Sequence, residues 1–195
     1  MVQMNRRSGI KTKEKILDAA MKIFSTYGYS GANIRTIAKT AGISIGGMYL
    51  YFRNKEELYL DLIKTLIQEQ AHKTKEVVAS ASSSTGALNA FISLHLEYGI
   101  KHRELIFIHI REHGFTFGME IKRKFFRGQI KLLSTIIGEG IRNRDFRECN
   151  TDETARIIMA TLRGVVLSMA IEGDTVVTEK GVQDLILRGL LKKAT

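Results

Sequence analysis

The amino-acid sequence predicts an all-α protein in which an amino-terminal helix-turn-helix domain precedes a larger helical domain. Apolar residues recur at spacings of three and four through most of the 195 residues, with no alternation of strand and helix patterns. Proline does not occur, so glycine and polar clusters must separate the helices. Two short helical patterns meet at Ala41-Gly42-Ile43-Ser44. We expect the first domain at residues 1–60 and the second at 61–195, with the boundary inside a long helix.

The two short helices are predicted to form a sharply turned pair. Gly42 suits the left-handed conformation that ends a helix, and Ser44 can cap the next helix by accepting a backbone N–H. That second helix runs from Ser44 to about Phe52, and in a helix-turn-helix unit it can enter the major groove of B-DNA. The apolar face of the first helix of the pair carries Ile34, Ile37, Ala38 and Ala41. Its polar face carries Arg35, Thr36 and Lys39.

The remaining elements are also helical by pattern. A first helix over 12–27 is expected to end at Gly28. Asn54 and Glu57 form a capping box at the start of a long helix that reaches the late seventies, where residues 80–86 make a polar break. Further helices are predicted at 87–101, 104–113, 119–144, 152–172 and 179–192.

The segment from about residue 10 to residue 60 carries four consecutive motifs. These are a leading helix ending in Tyr-Gly-Tyr, then Ile-Ala-Lys-Thr-Ala-Gly-Ile-Ser, Gly-Gly-Met-Tyr-Leu-Tyr-Phe and Asn-Lys-Glu-Glu-Leu. In this order they resemble the DNA-binding domain of the TetR family of bacterial transcriptional regulators. Two departures are that Asn33 stands where the family often has Thr, and that Ile45-Gly46-Gly47 leave the second helix without Lys or Arg. The resemblance implies a regulator, usually a repressor, with an effector-binding and dimerisation domain after the DNA-binding one.

The charge distribution agrees with a nucleic-acid partner. The formal net charge is +10, and residues 1–60 contain ten basic but only four acidic residues. Less than a third of the chain therefore carries most of the excess positive charge. Such a concentration suits neutralisation of phosphates, and it predicts an affinity for double-stranded DNA that falls steeply with salt.

We expect two kinds of DNA contact from the helix pair. Phosphate contacts fix the position of the protein, whereas contacts to base edges determine sequence preference. The tyrosines carry hydroxyl groups that favour an exposed end, whereas Phe52 is expected in the core. The predicted phosphate contacts are Asn33, Arg35, Tyr49, Tyr51 and Lys55, and the predicted base contacts are Ser44, Ile45, Gly46 and Gly47, with added hydrogen bonds from Arg35 and Thr36.

The carboxy-terminal part contains a helix that is apolar almost all round, over residues 157–171. It is too short to span a membrane, so both of its sides need a protein partner. The resemblance implies a homodimer built from this helix and the last one, and a monomeric core helix is the alternative. A two-fold dimer demands a palindromic operator. The predicted interface residues are Leu162, Val166, Met169, Val182, Leu185, Ile186 and Leu190.

An aromatic-rich stretch around Gly114 and Gly118 is the predicted effector site. The resemblance implies that a small molecule enters a pocket between helices and changes the separation of the two DNA-reading domains. The composition suits an apolar or aromatic effector, and ordinary core packing is the alternative. The candidate residues are Phe107, His109, His113, Phe117 and Phe125.

One sequence pattern is typical of a metal-binding site. His109-Ile-Arg-Glu112-His113 matches His-x-x-Glu-His, the inverted zinc-protease motif, and two histidines four apart share a helix face. A zinc site needs a third protein ligand, and a five-residue match is weak. We therefore expect no enzyme, no resident metal and no cofactor. A metal-responsive regulator or metalloprotein using His109 and His113 is kept as an alternative.

The cysteine content and the lengths of the apolar stretches indicate the cell compartment. The single cysteine, Cys149, excludes an internal disulfide and any CxxC motif, although it could serve as a redox switch. No run of 18 apolar residues occurs, and the basic amino terminus lacks a following signal-peptide apolar stretch. The expectation is a cytoplasmic protein with no membrane association.

Overall fold

The computed structural model describes residues 6–113, 118–172 and 177–191, and the backbone alone for residues 6–8, 113 and 170. Within these ranges the regular elements are α-helices, so the predicted all-α class is confirmed. None of the described helices is long and apolar enough to cross a membrane. The helices are α1 (Arg6–Gly31), α2 (Ile34–Thr40), α3 (Ile45–Tyr49), α4 (Lys55–Ala79), α5 (Ser84–Lys101), α6 (Arg103–His113), α7 (Met119–Arg142), α8 (Thr151–Glu172) and α9 (Glu179–Leu190).

The described residues pack into two compact units. The amino-terminal unit extends to Leu66 and also includes the described residues of 108–118. The larger unit consists of residues 67–107 and the described residues from Met119 onward. The chain thus passes from one unit to the other within α4 and again within α6. The sequence pattern did not indicate that the end of α6 belongs with the amino-terminal helices.

Helices α1, α3 and α7 end at other residues than the sequence predicted, each for a local reason. Helix α1 continues to Gly31, although Gly28 interrupts its regular geometry with a φ of 73°. Helix α3 ends at Tyr49, because the next residues form tight turns in which the N–H of Tyr51 donates to Met48 O. Helix α7 ends at Arg142, because Arg144 adopts a left-handed φ of 64° and turns the chain.

The predicted start of α4 is confirmed in a slightly different form. The N–H of Glu57 donates to Asn54 Oδ1 at 2.8 Å, so Asn54 caps the helix. The Glu57 carboxylate accepts in return from the N–H of Arg53 at 2.7 Å, one residue before the cap. Two unpaired donors at the helix start are satisfied by this reciprocal pair.

The amino-terminal unit has its own apolar core. Tyr59 of α4 is fully buried, and the Phe24 ring of α1 meets it edge-on with centroids 4.8 Å apart. Each large apolar side chain buried in this way contributes roughly 1.5–3 kcal/mol. The other fully or almost fully buried members include Ile16, Ala20, Ile37, Ala38, Met48, Phe52, Leu58 and Leu62.

Most of the predicted subunit interface packs in the core of the larger unit. An all-round apolar pattern does not tell which face of a helix packs internally. The contact of these side chains with a second subunit therefore stays a prediction. Val166 is half-buried close to Gly99, and Leu185 is 69% exposed. The buried residues are Leu162, Met169, Val182, Ile186 and Leu190.

Candidate nucleic-acid interface

The turn between α2 and α3 is closed by backbone hydrogen bonds. The N–H of Gly42 donates to Lys39 O at 3.1 Å, and the N–H of Ile43 donates to Ala38 O at 3.0 Å. This pairing is the Schellman arrangement, which requires a left-handed residue after the helix. Gly42 has a φ of 69°, as the sequence predicted. The hinge between the two helices is thus set by one residue's backbone conformation.

Both short helices are capped by side chains. Ser44 Oγ accepts from the N–H of Gly47 at 3.0 Å, so the predicted cap of α3 is confirmed. Asn33 Oδ1 accepts from the N–H of Arg35 at 2.8 Å and caps α2. The phosphate contact predicted for Asn33 stays a prediction, and it would have to use the amide nitrogen. Each such cap contributes about 1 kcal/mol to helix stability.

The outer surface of the pair includes most of the residues that the sequence assigned to DNA. On α3, Ile45 is 41% exposed and Tyr49 is 53% exposed, whereas Phe52 is buried in the core as expected. A Cβ at Gly46 would meet no atom within 4 Å, so that face of the helix is open. A Cβ at Gly47 would lie 3.2 Å from Ser44 Oγ, and the glycine therefore protects the cap. Arg35 and Thr36 are exposed on α2, and Tyr51 is half-buried.

The charges along this part of the chain are mostly positive. Residues 19–55 contain no acidic residue, and their exposed cations are Lys22, Arg35, Lys39 and Arg53. The exposed Glu57 carboxylate lies at the edge, where it accepts from the N–H of Arg53. A surface with few carboxylates can approach a phosphate backbone with little like-charge repulsion. Arg53, directly after α3, was missed by the sequence reasoning. In the sequence, the one feature that could have indicated Arg53 is its positive charge close to the predicted helix pair.

Lys55 has a structural role that conflicts with its predicted phosphate contact. Its ammonium donates to Tyr29 O at 2.8 Å and Ala32 O at 3.1 Å, and it lies 3.5 Å from Ser30 O. It also lies over the Tyr29 ring, 4.4 Å from the centroid. All three donors of an ammonium group are then directed at the chain itself. We therefore remove Lys55 from the predicted contact set.

The end of α6 joins this unit through Glu112. The Glu112 carboxylate accepts from the N–H of Ser30 at 2.7 Å, and Arg111 Nη2 lies 3.3 Å from it. Burial alone would raise the pKa of the Glu112 carboxyl, but bonds from Ser30 and Arg111 outweigh burial and lower it. Gly28 has a positive φ, and a Cβ there would collide with the carboxylate. Gly28 thus allows the close approach of Glu112.

His109 also belongs to the amino-terminal unit, which changes its predicted role. It is buried, and its Nδ1 lies 3.0 Å from the Tyr59 hydroxyl. Burial raises the pKa of Tyr59, with further increases from Glu112 and Tyr29. His109 therefore packs from α6 against α4 in this unit, and its predicted contact with an effector stays a prediction.

The other predicted effector residues lie in the larger unit or outside the described residues. Phe107 is 37% exposed, and Phe125 stacks on His95 with centroids 6.4 Å apart. The side chain of His113 and all of Phe117 lie outside the described residues. In the part of the chain that the structure describes, no three His, Cys, Asp or Glu side chains are grouped to hold a metal ion. Cys149 is half-exposed and packs against the core.

Comparisons with known proteins agree with this geometry. The family described as "Bacterial regulatory proteins, tetR family" matches residues 16–62. The fatty acid metabolism regulator protein of Bacillus subtilis is 25% identical over 186 residues, covering 92% of this chain and 95% of that protein. The fatty acid degradation regulator FadR from Bacillus halodurans has a TM-score of 0.74 at 26% identity, covering 91% of this chain and 98% of that one.

A further solved structure has the same fold. FadR from Bacillus subtilis, crystallised in complex with stearoyl-CoA, has a TM-score of 0.74 at 23% identity. The likeness covers 90% of this chain and 98% of that chain. At this identity the comparison supports the arrangement of helices and no more.

Gly46→Ala tests whether α3 approaches a groove wall closely. Since nothing in the protein opposes a Cβ there, the substitution should raise the free energy of unfolding by roughly 0.5–1 kcal/mol. It should nevertheless weaken binding to a preferred DNA site about tenfold, which is about 1.4 kcal/mol. Gly128→Ala on α7 is the matched control, because its Cβ also meets nothing within 4 Å. Unchanged DNA affinity in Gly46→Ala, measured by fluorescence anisotropy, would contradict the assignment.

Arg53→Met and Lys55→Met separate a phosphate contact from a structural cation. Arg53→Met should leave thermal stability unchanged and reduce the slope of log affinity against log salt by about 1. Lys55→Met should lower the free energy of unfolding by roughly 2 kcal/mol, because it removes charge-assisted bonds to α1. Salt titrations and denaturant unfolding measure both effects. The reverse outcome, with Arg53 needed for stability and Lys55 for the salt slope, would refute both roles.

Proposed function

The chain belongs to the TetR family of bacterial regulatory proteins, and from this we propose a repressor that binds a palindromic operator as a homodimer and is released by a small molecule. It is a DNA-binding transcriptional regulator and not an enzyme. The observation that carries the proposal is the open face of α2 and α3, the two helices joined by the Gly42 hinge, whose own residues include no carboxylate. The identity of the effector and the operator symmetry are inferred below from separate features.

On the operator, we assign different tasks to the two short helices. The exposed Ile45 side chain can pack on a thymine methyl, and Gly46 leaves room for the groove wall. We assign phosphate contacts to Tyr49, Arg35 and Arg53, which are all exposed. With no cation on α3 itself, sequence preference rests on close apolar contact and on the Ser44 hydroxyl.

The homodimer is assigned to the exposed face of α8 and α9. Ile157 is 60% exposed, Ile171 is 62% exposed and Leu185 is equally open to solvent. Large exposed apolar side chains on these two helices favour a protein partner. Gly164 and Gly189 have no atom near a potential Cβ, which would allow a second backbone to approach. Two copies related by a two-fold axis would then bind half-sites separated by whole turns, ~34–36 Å each.

The effector is assigned to the larger unit. The Bacillus subtilis relative is named for fatty acid metabolism and the Bacillus halodurans protein for fatty acid degradation. Both names favour a fatty acyl compound, and stearoyl-CoA, which FadR from Bacillus subtilis binds, supplies the first probe. The aromatic side chains Phe91, Phe125 and Phe126 of this unit suit an apolar chain.

Helix α6 offers a route by which the effector could weaken DNA binding. Its residues 103–107 belong to the larger unit, and Ile108 onward belongs to the amino-terminal unit. Within the latter, Glu112 holds Ser30 at the end of α1, and His109 holds Tyr59. A ligand that displaces α6 would strain these bonds. Because the coupling is reciprocal, operator DNA would weaken effector binding by the same factor.

Release by stearoyl-CoA, and its dependence on Glu112, test the proposal. The wild-type protein, bound to a duplex selected from random sequences, should lose affinity about 5–150-fold in the presence of stearoyl-CoA. Glu112→Gln keeps the shape of the side chain but weakens the bond to Ser30, so the loss should be several-fold smaller. Glu120→Gln, an exposed carboxylate on α7, is the control. Equal release from all three proteins, read by fluorescence anisotropy, would refute transmission through Glu112.

Leu185→Glu tests the subunit contact. A carboxylate placed on both sides of a two-fold interface should convert the dimer to monomer and weaken operator binding sharply, without unfolding the chain. Val77→Glu on α4 is the matched control, because Val77 is an exposed apolar residue away from α8 and α9. Sedimentation velocity gives the mass of each. A Leu185→Glu protein that remained dimeric would place the contact elsewhere.

A further inference from the structure

Two buried polar atoms lie against the α5/α7 contact of the larger unit. His95 on α5 is 7% exposed and Gln129 on α7 is 3% exposed. Within the described part of the protein, neither His95 Nε2 nor Gln129 Oε1 has a hydrogen-bond partner. The His95 ring stacks between Phe91 and Phe125, with centroid separations of 4.4 Å and 6.4 Å. Phe125 lies one turn before Gln129 on α7, so Gln129 shares a helix face with a ring of this stack.

The hydrogen bonding of His95 defines what its other nitrogen can do. Nδ1 lies 3.2 Å from Phe91 O, a carbonyl that can only accept, so Nδ1 carries the proton. Nε2 is then an acceptor. Burial lowers the pKa of His95 to about 4, although the bond to Phe91 partly opposes this, so the ring is neutral at pH 7. Gln129 Oε1 is also an acceptor, and the site therefore offers two acceptors.

A buried acceptor without a partner is costly, typically about 1–3 kcal/mol. Native structures keep few such groups, and those they keep are concentrated at sites of function. Two on facing helices, beside a stack of aromatic rings, indicate a binding site. Tyr98, one turn further along α5, adds a buried hydroxyl group that also has no partner among the described residues.

We propose that His95 and Gln129 recognise a neutral hydrogen-bond donor, a hydroxyl or amide N–H group, carried on an otherwise apolar effector. This inference rests on the proposed effector function and adds the chemistry by which the ligand is chosen. An amide N–H of an acyl-CoA and the hydroxyl group of a fatty alcohol both fit this description. A free carboxylate does not fit these two atoms, because its oxygens would face His95 Nε2 and Gln129 Oε1, which are both acceptors.

One cation on the same helix must be considered. Lys122 lies two turns before Gln129 and shares its face of α7. It is half-buried, and burial lowers the pKa of its ammonium. An anionic head group paired with Lys122 is the competing outcome, and the experiment therefore includes a carboxylate.

The test measures binding of three probes to the full-length protein without DNA. The probes are 1-dodecanol, its methyl ether, which lacks only the donor, and dodecanoate. Wild-type protein should bind dodecanol about fivefold more tightly than the ether, the ratio for one net hydrogen bond. His95→Phe and Gln129→Met each keep the volume but remove one acceptor. Since a hydroxyl group has a single O–H donor, the double variant, which removes both acceptors, should bring this ratio close to one. His72→Phe, at an exposed histidine, should leave it unchanged.

Thermal melting of the ligand-free variants distinguishes recognition from a structural role. If the acceptors serve a ligand, His95→Phe and Gln129→Met should melt at the same or a higher temperature than wild type, since an unpaired group is removed. Equal affinity for dodecanol and ether in the wild type would overturn the proposal. So would a preference for dodecanoate that disappears in Lys122→Met, or lower melting temperatures with an unchanged ratio.

The failure of the proposed function has a different signature. The preference for dodecanol over its ether could depend on His95 while neither stearoyl-CoA nor dodecanol releases the operator duplex. In that case recognition by His95 and Gln129 stands, and effector-driven release is wrong. Stearoyl-CoA could instead release the operator equally well from wild type, His95→Phe and Gln129→Met, with dodecanol and the ether bound equally tightly by all of them. That result refutes recognition by His95 and Gln129 and leaves the proposed function standing.

Discussion

The left-handed backbone at Gly42 is the constraint on which the DNA-reading surface depends. It allows two N–H groups to close the end of α2, and it delivers Ser44 to the position from which it caps α3. Helix α3 has only five residues and would not form by itself in water. Its stability comes from that cap and from Met48, which is fully buried under it. An L side chain at Gly42 would strain the hinge even though space is available there.

Features set by neighbouring residues could be predicted from the sequence. The Gly42 turn, the Ser44 cap and the Asn54–Glu57 cap each depend on residues a few positions apart. Contacts between distant segments could not be predicted. Lys55 reaches carbonyls 23 to 26 residues earlier, and the bond between Glu112 and Ser30 joins residues 82 positions apart. The burial of most predicted subunit contacts could not be foreseen for a related reason, because an apolar helix gives no signal of which face its own core covers.

The candidate sites coincide with positions where the chain gives up stability. Gly46 leaves a helix position without a side chain, and His95 and Gln129 keep acceptors unpaired in an apolar interior. A fold selected for stability alone would fill or pair these positions, and such exceptions are common at functional sites. The shared helices α4 and α6 extend from the unit that carries the acceptors into the unit that carries the glycine. This continuity gives a ligand a physical connection to the DNA-reading surface.

Selection of duplexes from a random-sequence pool by the purified protein, at physiological salt, tests whether two chains together bind a two-fold DNA site. We expect enrichment of a sequence with two inverted half-sites, bound by two chains per duplex, and loss of retention as salt rises. Sequencing the retained duplexes and measuring the mass of the complex give both results. A retained pool with no enrichment over the input, or a single chain on an asymmetric site, would contradict this expectation.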